Sequence, residues 1–201
     1  MSLDHRLFLD VNKLSRHSAW AHGFMAKYAL WGGLVALAVL CVLGFLWARQ
    51  RGRLDGVVLL FIGGASSLIA LAVNKGVSDA VQRHRPCQVL HHIKVILACA
   101  HDYSFPSDHS AIAGALAVGL FMFSRKVGVL AILLALFLAF SRVYAGVHYP
   151  GDVAGGLVLG ALVALVLEFV FRGVLMTAAT RLAQTPLRPV LSARPQVGPL
   201  R

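Results

Sequence analysis

Three short clusters of polar side chains interrupt an otherwise apolar sequence, and their residue types suit the transfer of a phosphoryl group. The clusters read KGVSDAVQRHRP at residues 75–86, FPSDH at residues 105–109 and SRVYAGVHYPGD at residues 141–152. Arg85 and Arg142 carry permanent charges on planar guanidinium groups, whose paired donors match phosphate oxygens. Both arginines are therefore predicted to bind phosphate.

The second cluster has the features of a helix N-terminus that binds an anion. Pro106 is of a type favoured in the first turn of a helix, so a helix is expected to begin just after it. The backbone amides of Asp108 and His109 would then lack partners inside the helix, and such amides bind anions. Ser107, with its hydroxyl, and Asp108, with its amide, are predicted to contact phosphate.

Two histidines add groups that exchange protons near neutral pH, His109 and His148. Asp152 follows His148 by four residues and could accept a hydrogen bond from its imidazole, which would leave the other ring nitrogen nucleophilic. Pro150 and Gly151 interrupt any continuous helix between them, so Asp152 could instead cap the next helix. The two roles are compatible, and His148 is interpreted as a nucleophile.

No cluster of carboxylates in this sequence suggests a divalent-metal site. Two arginines and a helix N-terminus can neutralise a phosphoryl group through positioning and electrostatics, so we expect neither a metal nor a cofactor. Four residues of one polar loop could form a metal site, but their spacing matches no recognised zinc pattern and favours a solvated loop. These residues are His91, His92, His101 and Asp102.

The composition places these clusters in a membrane protein. Of 201 residues, 58% are hydrophobic and 13% are charged, whereas soluble domains carry about 25% charged residues. The formal net charge of +11 would suggest nucleic acid as the partner of a soluble protein. Here basic residues flank apolar spans and are explained by membrane topology. Membrane lipids, and no nucleic acid, are the expected partners.

The predicted fold is an all-α bundle of about five transmembrane helices. Two apolar stretches are long enough to cross a hydrocarbon core of roughly 30 Å. The other three are shorter, so their helices must extend through His109, Arg142 and Asp152, which places these groups at the membrane boundary as functional candidates. The expected spans are about 28–48, 54–77, 106–124, 127–145 and 152–172.

One membrane-embedded domain is expected over residues 1–175. Within it, residues 1–22 place aliphatic side chains at helical spacing among charged ones, which predicts an amphipathic helix on the membrane interface. Residues 176–201 contain prolines and scattered arginines and are predicted to form a flexible, basic, cytoplasmic tail. The aliphatic side chains of the interfacial helix are Leu3, Leu7, Val11 and Leu14.

Basic residues indicate the orientation. They follow the first, third and fifth spans, on one side of the membrane, which the positive-inside rule makes cytoplasmic. The loop of residues 78–108 and the turn around His148 would then face outward. In that oxidising compartment Cys87 and Cys99 could pair; two free thiols are the alternative, because a sequence does not supply the required geometry.

The polar clusters resemble the signature of a known family, the type 2 phosphatidic acid phosphatase superfamily of membrane lipid phosphatases. Its pattern is K-x6-R-P, then P-S-G-H, then S-R-x5-H-x3-D. The third part is matched in full by Ser141, Arg142, His148 and Asp152. The resemblance covers about residues 54–172.

This resemblance implies a role for each matched residue. His148 would attack phosphorus to form a phosphohistidine, and Asp152 would orient it. His109 would protonate the leaving oxygen and then activate water. The phosphoryl oxygens would be held by Arg85, Arg142, Ser107 and the amide of Asp108.

Two positions depart from the family pattern. Ser78 stands where the family has lysine, and Lys75, one helical turn earlier, could reach the same pocket or be an ordinary boundary lysine. Asp108 replaces a glycine, and its carboxylate would repel phosphate unless it points away or pairs with an arginine.

Both departures are similar to one branch of the family, the bacitracin-resistance-type undecaprenyl pyrophosphate phosphatases. This implies a bacterial cell membrane and a polyprenyl diphosphate substrate in the outer leaflet, converted to undecaprenyl phosphate, the carrier for cell-wall polymers. A phosphatase for phosphatidic acid, phosphatidylglycerol phosphate or a lipid A phosphate is the first alternative. The second is a non-catalytic carrier or binder of anionic lipid.

Overall fold

Long apolar runs of this chain form helices, as lipid requires, since helices pair their backbone polar groups within one segment. The computed structural model describes residues 2–186 and 188–193, and all regular structure within them is helical. In chain order the α-helices are α1 Leu3–His17, α2 His22–Lys27, α3 Gly33–Arg51, α4 Leu54–Val81, α5 Pro86–Val89, α6 Asp108–Phe123, α7 Arg125–Tyr144, α8 Pro150–Leu182 and α9 Arg188–Leu191.

Within the described part of the chain, four helical stretches have the length and composition needed to cross a membrane. They are Ala19–Arg51, Leu54–Val89, Arg125–Tyr144 and Pro150–Leu182. The first joins a 3-10 turn, Ala19–Ala21, and a π-helical turn, Tyr28–Gly32, to α2 and α3 without interruption. The expectation of an all-α, multi-pass membrane protein is confirmed.

Helix α6 is shorter than these spans but occupies the centre of the bundle. Its 16 residues extend about 24 Å, and it packs against α3, α4, α7 and α8. Ala113 and Leu120 of α6 are fully buried in the largest apolar cluster, which also contains Leu37 and Leu138. Its neighbours therefore shield α6 from lipid, while its N-terminus supports the polar end of the bundle.

Helix α6 approaches α4 closely enough for the two backbones to touch. A Cβ added at Gly119 would lie 2.7 Å from the Cα of Gly63, and one added at Gly63 would lie 2.9 Å from the Cα of Gly119. Small residues of this kind allow close helix packing in membranes, where van der Waals contact drives association.

The N-terminal helix α1 has one docked face and one outward face. Its docked residues Phe8, Asn12 and Ser15 are almost fully buried. The Asn12 amide donates to the carbonyl oxygen of Lys94 at 2.7 Å and accepts from the Lys94 amide at 2.9 Å. Three of the four predicted aliphatic residues are exposed on the outward face, as an interfacial helix requires: Leu3, Leu7 and Leu14.

The C-terminal part of the chain differs from the expected flexible tail. Helix α8 runs on to Leu182, and Ala179 packs with Val58 and Ile62 of α4. The following segment returns to the end of α3, where the backbone amide of Ala193 donates to the carbonyl oxygen of Arg49 at 3.0 Å. Apolar contacts at Ala179 and a backbone hydrogen bond at Ala193 thus join these parts of the chain to the bundle. Residues 194–201 of the expected tail lie outside the described residues.

Replacement of Gly63 by leucine should separate α4 from α6, because the new side chain would overlap the α6 backbone. Such overpacking costs about 1–3 kcal/mol of unfolding free energy. The matched control is Gly64→Leu, since a Cβ there meets nothing within 4 Å. Unfolding of both variants is measured in detergent. Equal stability of the two variants would contradict the close α4–α6 contact.

Candidate active site

Most of the predicted functional residues, together with others that the sequence did not indicate, lie where three connections meet at one end of the bundle. The link from α4 to α5 carries Arg83 and Arg85, the segment before α6 carries Ser104 and Ser107, and the turn from α7 to α8 carries His148. The disulfide Cys87–Cys99 joins two points of the outer loop. Residues far apart in sequence thus form one polar surface above an apolar bundle.

The turn between α7 and α8 requires a glycine. Gly146 has a φ of +80°, a region that side chains rarely adopt, and its amide donates to the carbonyl oxygen of Val143 at 3.0 Å. A Cβ at this position would lie 2.5 Å from the carbonyl oxygen of Lys94. The tight turn that results leaves Val147 and His148 almost fully buried.

The hydrogen bonds of His148 determine which ring nitrogen is nucleophilic. Nδ1 lies 2.9 Å from the carbonyl oxygen of Ser104. A carbonyl only accepts, so Nδ1 carries the proton. Nε2 lies 2.8 Å from Nη1 of Arg85 and 3.3 Å from Nη2 of Arg142. Since guanidinium groups only donate, Nε2 presents a lone pair, as a nucleophile must.

The surroundings keep His148 neutral. Burial lowers its pKa to about 4, and the nearby charges of Arg142 and Arg85 act in the same direction, against the smaller opposing effect of Asp152. The imidazole is therefore unprotonated at neutral pH, and its Nε2 carries a lone pair that accepts from the two arginines.

Asp152 is fully buried at the start of α8. Its Oδ2 accepts hydrogen bonds from the Tyr149 amide at 2.7 Å and from the Ser104 hydroxyl, and Arg83 Nη1 lies 2.9 Å from Oδ1. Oδ2 is 3.7 Å from Nδ1 of His148, too far for a hydrogen bond. The expected Asp152–imidazole hydrogen bond is thus replaced by the Ser104 carbonyl. Asp152 acts on the ring by charge and also caps α8.

Arg85 is held on the side of the imidazole nearer the outer loop. Its Nε donates to Oδ1 of Asp102 at 2.8 Å, and its Nη1 donates to the Val147 carbonyl oxygen at 3.2 Å. Partial burial raises the pKa of Asp102, but the hydrogen bond and charge of Arg85 outweigh this effect and hold the pKa below its ordinary value. Asp102 therefore remains a carboxylate that orients Arg85.

Among the buried polar atoms that lack hydrogen-bond partners in the described part of the chain, two belong to the predicted phosphate-binding residues Arg142 and Ser107. Arg142 donates from Nη1 to the Ala29 carbonyl oxygen at 3.2 Å, yet its Nε has no partner. The hydroxyl of Ser107, a fully buried residue, also has none. Buried donors are normally satisfied, and a phosphoryl group supplies the oxygen acceptors that these two would take.

His109 lies in the first turn of α6 but is not hydrogen-bonded to His148. Its Nε2 is 3.1 Å from the carbonyl oxygen of Leu30, in the π-helical turn Tyr28–Gly32. To donate a proton to a substrate from Nε2, His109 must release this carbonyl.

Asp108 is turned toward α4. Its Oδ1 accepts a hydrogen bond from Nδ2 of Asn74 at 2.6 Å, and the same amide nitrogen donates to the Pro106 carbonyl oxygen at 3.0 Å. Asn74 is fully buried, so the direction of this carboxylate is fixed. The amide at position 108 can still serve as a phosphate donor while the carboxylate is held by a neutral partner.

Lys75 does not contact the residues around His148. Its Nζ pairs with Oδ1 of Asp79 at 2.7 Å, and its side chain is 70% exposed. It does border a cleft of about 540 Å³ that includes Asp102, the partner of Arg85. The other lining residues are His84, Gln88, His101 and Tyr103.

The polar outer loop also contains the residues weighed as a metal site. Within residues 2–186 and 188–193, no three or more His, Cys, Asp or Glu side chains come close enough to hold a metal ion. The residues considered were His91, His92, His101 and Asp102.

Comparison with known proteins identifies the family of this chain. The sequence model of the PAP2 superfamily matches residues 56–179, more than half of the chain. The chain belongs to the PAP2 superfamily. It is therefore a membrane lipid phosphatase, and the resemblance found in its polar clusters is confirmed.

Two curated PAP2 relatives illustrate the similarity. Over 172 residues, the chain is 28% identical to undecaprenyl-diphosphatase BcrC of Bacillus subtilis, covering 84% of this chain and 82% of the relative. Over 138 residues, it is 36% identical to decaprenylphosphoryl-5-phosphoribose phosphatase of Mycobacterium tuberculosis, covering 67% of this chain and 71% of the relative.

A solved PAP2 structure shares the fold. The transmembrane PAP2-type phosphatidylglycerolphosphate phosphatase of Bacillus subtilis aligns with a TM-score of 0.58 at 22% identity, covering 87% of this chain and 89% of that one.

Several residues of this candidate site were not found from the sequence. Ser104 contributes both its carbonyl and its hydroxyl, Arg83 pairs with Asp152, and Asn74 holds Asp108. Arg83 could have been noticed because it lies two residues before Arg85 in the same basic cluster. Ser104 gave no such signal, because it acts partly through its backbone carbonyl.

Activity should persist at pH values well below the ordinary histidine pKa of 6.5. A lowered pKa means that the neutral nucleophile is present above about pH 4 and is lost as the pH falls through that value. The check is kcat/KM in detergent micelles from about pH 3.5 to 8. The substrate's own ionisation is titrated separately by phosphorus NMR. An acid limb near pH 6.5 that the substrate does not explain would contradict a neutral His148.

Proposed function

We propose that this protein hydrolyses a polyprenyl diphosphate without a metal ion, converting undecaprenyl pyrophosphate to undecaprenyl phosphate and inorganic phosphate. The observation that carries the proposal is the neutral His148, whose Nε2 lone pair faces two buried guanidinium groups. A permanently positive, buried centre with an available nucleophile suits attack on a phosphate anion better than simple storage of one.

The hydrogen-bond donors for the substrate phosphate are already present around His148, and substrate binding only changes their acceptors. The oxygens of the terminal phosphate accept from Arg85, from the unpartnered Nε of Arg142 and Oγ of Ser107, and from the amide of Asp108. As the arginine donors turn from His148 to these oxygens, Nε2 is left free. The position of α6 helps, because the N-terminus of a helix favours an anion.

The first chemical step forms a phosphohistidine. Nε2 of His148 attacks the terminal phosphorus, and the bond from phosphorus to the bridging oxygen breaks. His109, as an imidazolium that the negative charge of the bound phosphate favours, donates a proton to that oxygen as the lipid phosphate leaves. Asp152, 3.7 Å from Nδ1, stabilises the positive charge that develops on the imidazole.

The second step regenerates the enzyme. His109, now unprotonated, takes a proton from a water molecule as that water attacks the phosphohistidine. The bond between phosphorus and Nε2 breaks, inorganic phosphate is released and His148 returns to its neutral form. The arginines hold the phosphoryl oxygens throughout, so charge stabilisation needs no metal.

Two features support a polyprenyl substrate. Both curated relatives described above carry names of phosphatases that act on polyprenyl-linked phosphates. The site also lies at the end of an apolar bundle, where a lipid could keep its chain in the bilayer and present its headgroup to the helix ends. Undecaprenyl phosphate produced there would be reused as the carrier for cell-wall polymers.

The proposed location is a bacterial cell membrane, with the site facing the periplasm or cell exterior and the C-terminus in the cytoplasm. The basic residues that end α3 and begin α7 lie at the end of the bundle opposite His148, which agrees with the positive-inside rule. The disulfide Cys87–Cys99 lies at the same end as His148, and disulfides persist in oxidising compartments.

The purified protein should release phosphate from undecaprenyl pyrophosphate in the presence of EDTA. His148→Ala should lose at least about a thousandfold in kcat, as removal of a nucleophile does. The control is His91→Ala, an exposed histidine of the outer loop that should retain full activity. Substantial turnover by His148→Ala would exclude the phosphohistidine pathway, and full loss in EDTA would exclude metal independence. Binding of the lipid without any turnover by the wild type would favour the anionic-lipid carrier.

A substrate panel should show the highest kcat/KM for undecaprenyl pyrophosphate. The panel also contains a polyprenyl-phosphosugar phosphate, phosphatidic acid, phosphatidylglycerol phosphate and a lipid A phosphate, each in the same mixed micelles. A clear preference for either glycerolipid or for lipid A would overturn the substrate assignment and leave the reaction class intact. A preference for the sugar phosphate would retain the polyprenyl chain as the recognised group.

A further inference from the structure

A chain of charged contacts connects the N-terminal helix to the buried pair His148 and Asp152. Arg83 stands in the middle of it. Its Nη1 lies 2.9 Å from Oδ1 of Asp152, and its Nη2 lies 2.5 Å from Oδ2 of Asp4. Its guanidinium carbon is also 4.1 Å from the centroid of the Tyr149 ring. Arg83 thus contacts both Tyr149, just before α8, and Asp152, in the first turn of α8.

Asp4 contacts the same turn directly. Its Oδ1 accepts a hydrogen bond from the Gly151 amide at 2.7 Å, while its Oδ2 binds Arg83. One carboxylate on α1 therefore bridges the backbone next to Asp152 and the cation that pairs with Asp152.

The backbone of Arg83 adds a second connection to His148. Its carbonyl oxygen accepts from the Ser104 amide at 2.7 Å. Ser104 in turn accepts the Nδ1 proton of His148 on its carbonyl oxygen, and its hydroxyl binds Asp152. Arg83 consequently fixes both acceptors that surround Nδ1, one through its side chain and one through its main chain.

Helix α1 is docked firmly enough to hold Asp4 in place. Phe8, one turn after Asp4, is fully buried, and its ring centroid is 5.3 Å from that of Tyr149. Asn12 holds the outer loop through two hydrogen bonds to Lys94. Asp4 is thus carried by a helix that is anchored at several points along its length.

We propose that Asp4 and Arg83 are positioning residues that act through Asp152 to orient His148, which makes α1 part of the reaction centre. The inference rests on the proposed function of His148 and Asp152. The PAP2 match begins at residue 56, so Asp4 lies outside the segment that defines the family.

The physical reason is the burial of Asp152. A buried carboxylate without a cation is unfavourable, and Arg83 is the guanidinium in contact with it. Without Arg83, Asp152 would gain by moving toward Nδ1 or by taking up a proton. Either change alters the orientation or the basicity of the imidazole, so kcat should suffer while the arginines that bind phosphate stay in place.

The central test is a set of kinetic measurements on the wild-type background and on Asp152→Asn. Arg83→Gln should lower kcat by about 30-fold, in the range typical of residues that orient a reactive group, with KM changed less than about threefold. Arg83→Lys should recover part of this loss, because it restores the charge but not the fork. Asp4→Ala should lower kcat by about tenfold.

In the Asp152→Asn background, Arg83→Gln and Asp4→Ala should each change kcat less than about twofold, since residues acting through Asp152 are not additive with its loss. Asp10→Ala and Arg16→Gln, exposed positions of the same helix, are the matched controls and should keep wild-type kcat. All rates are measured with the panel substrate that the wild type turns over fastest.

Each outcome is decisive. A wild-type kcat for Arg83→Gln, or a loss that multiplies in full with Asp152→Asn, would overturn the inference. If Arg83→Gln does not fold, Asp4→Ala is compared in the wild-type and Asp152→Asn backgrounds instead. This variant keeps the Arg83–Asp152 ion pair, so it is expected to fold. The His148→Ala result distinguishes failure of the positioning role from failure of the proposed function. An inactive His148→Ala with unaffected Arg83 and Asp4 variants refutes only the positioning role.

Discussion

The site depends on a neutral imidazole held between two buried guanidinium groups. Arg85 and Arg142 carry like charges and lie almost fully inside the protein, an arrangement that is unfavourable unless acceptors surround it. Asp102, main-chain carbonyls and the Nε2 lone pair of His148 supply those acceptors. The arrangement leaves two buried guanidinium groups facing one imidazole. Such a centre favours an anion and keeps the histidine unprotonated, so binding and nucleophilicity have one electrostatic cause.

The membrane bundle makes this centre possible. Most of helix α6 is buried by its neighbours, and its first turn lies between the buried Ser107 and Ser110. It therefore brings a helix N-terminus to the proposed phosphate site. Close contacts such as Gly63 with Gly119 fix the height of α6 against α4. The π-helical turn Tyr28–Gly32 supplies carbonyl oxygens to Arg142 and His109. Irregular backbone of this kind is tolerated in a membrane protein where other protein groups satisfy it.

Much of the site could be predicted because phosphoryl transfer restricts which residue types can serve. Cations with planar donors, titratable histidines and a helix start left a recognisable pattern at His148, Arg142, Arg85 and Ser107. Ser104 escaped because its backbone carbonyl, which any residue provides, takes the Nδ1 proton. Asn74 escaped because it lies in the middle of an apolar span, where nothing in the local sequence links it to Asp108. The continuation of α8 to Leu182 and the contact of Ala193 with Arg49 were not predicted, because packing on α4 and this hydrogen bond join segments that are distant in sequence.

The sequence by itself determined the class of fold, the membrane environment and the family, since hydrophobic length and residue chemistry are local properties of the chain. Tertiary structure alone decided which partner each polar group takes. It placed Asp152 at 3.7 Å from Nδ1 rather than in a hydrogen bond, left Lys75 with Asp79, and joined Asp4 of the first helix to Arg83. The partner of each polar group depends on which acceptors from distant segments lie within hydrogen-bond distance. Those distances are set only when the helices pack together.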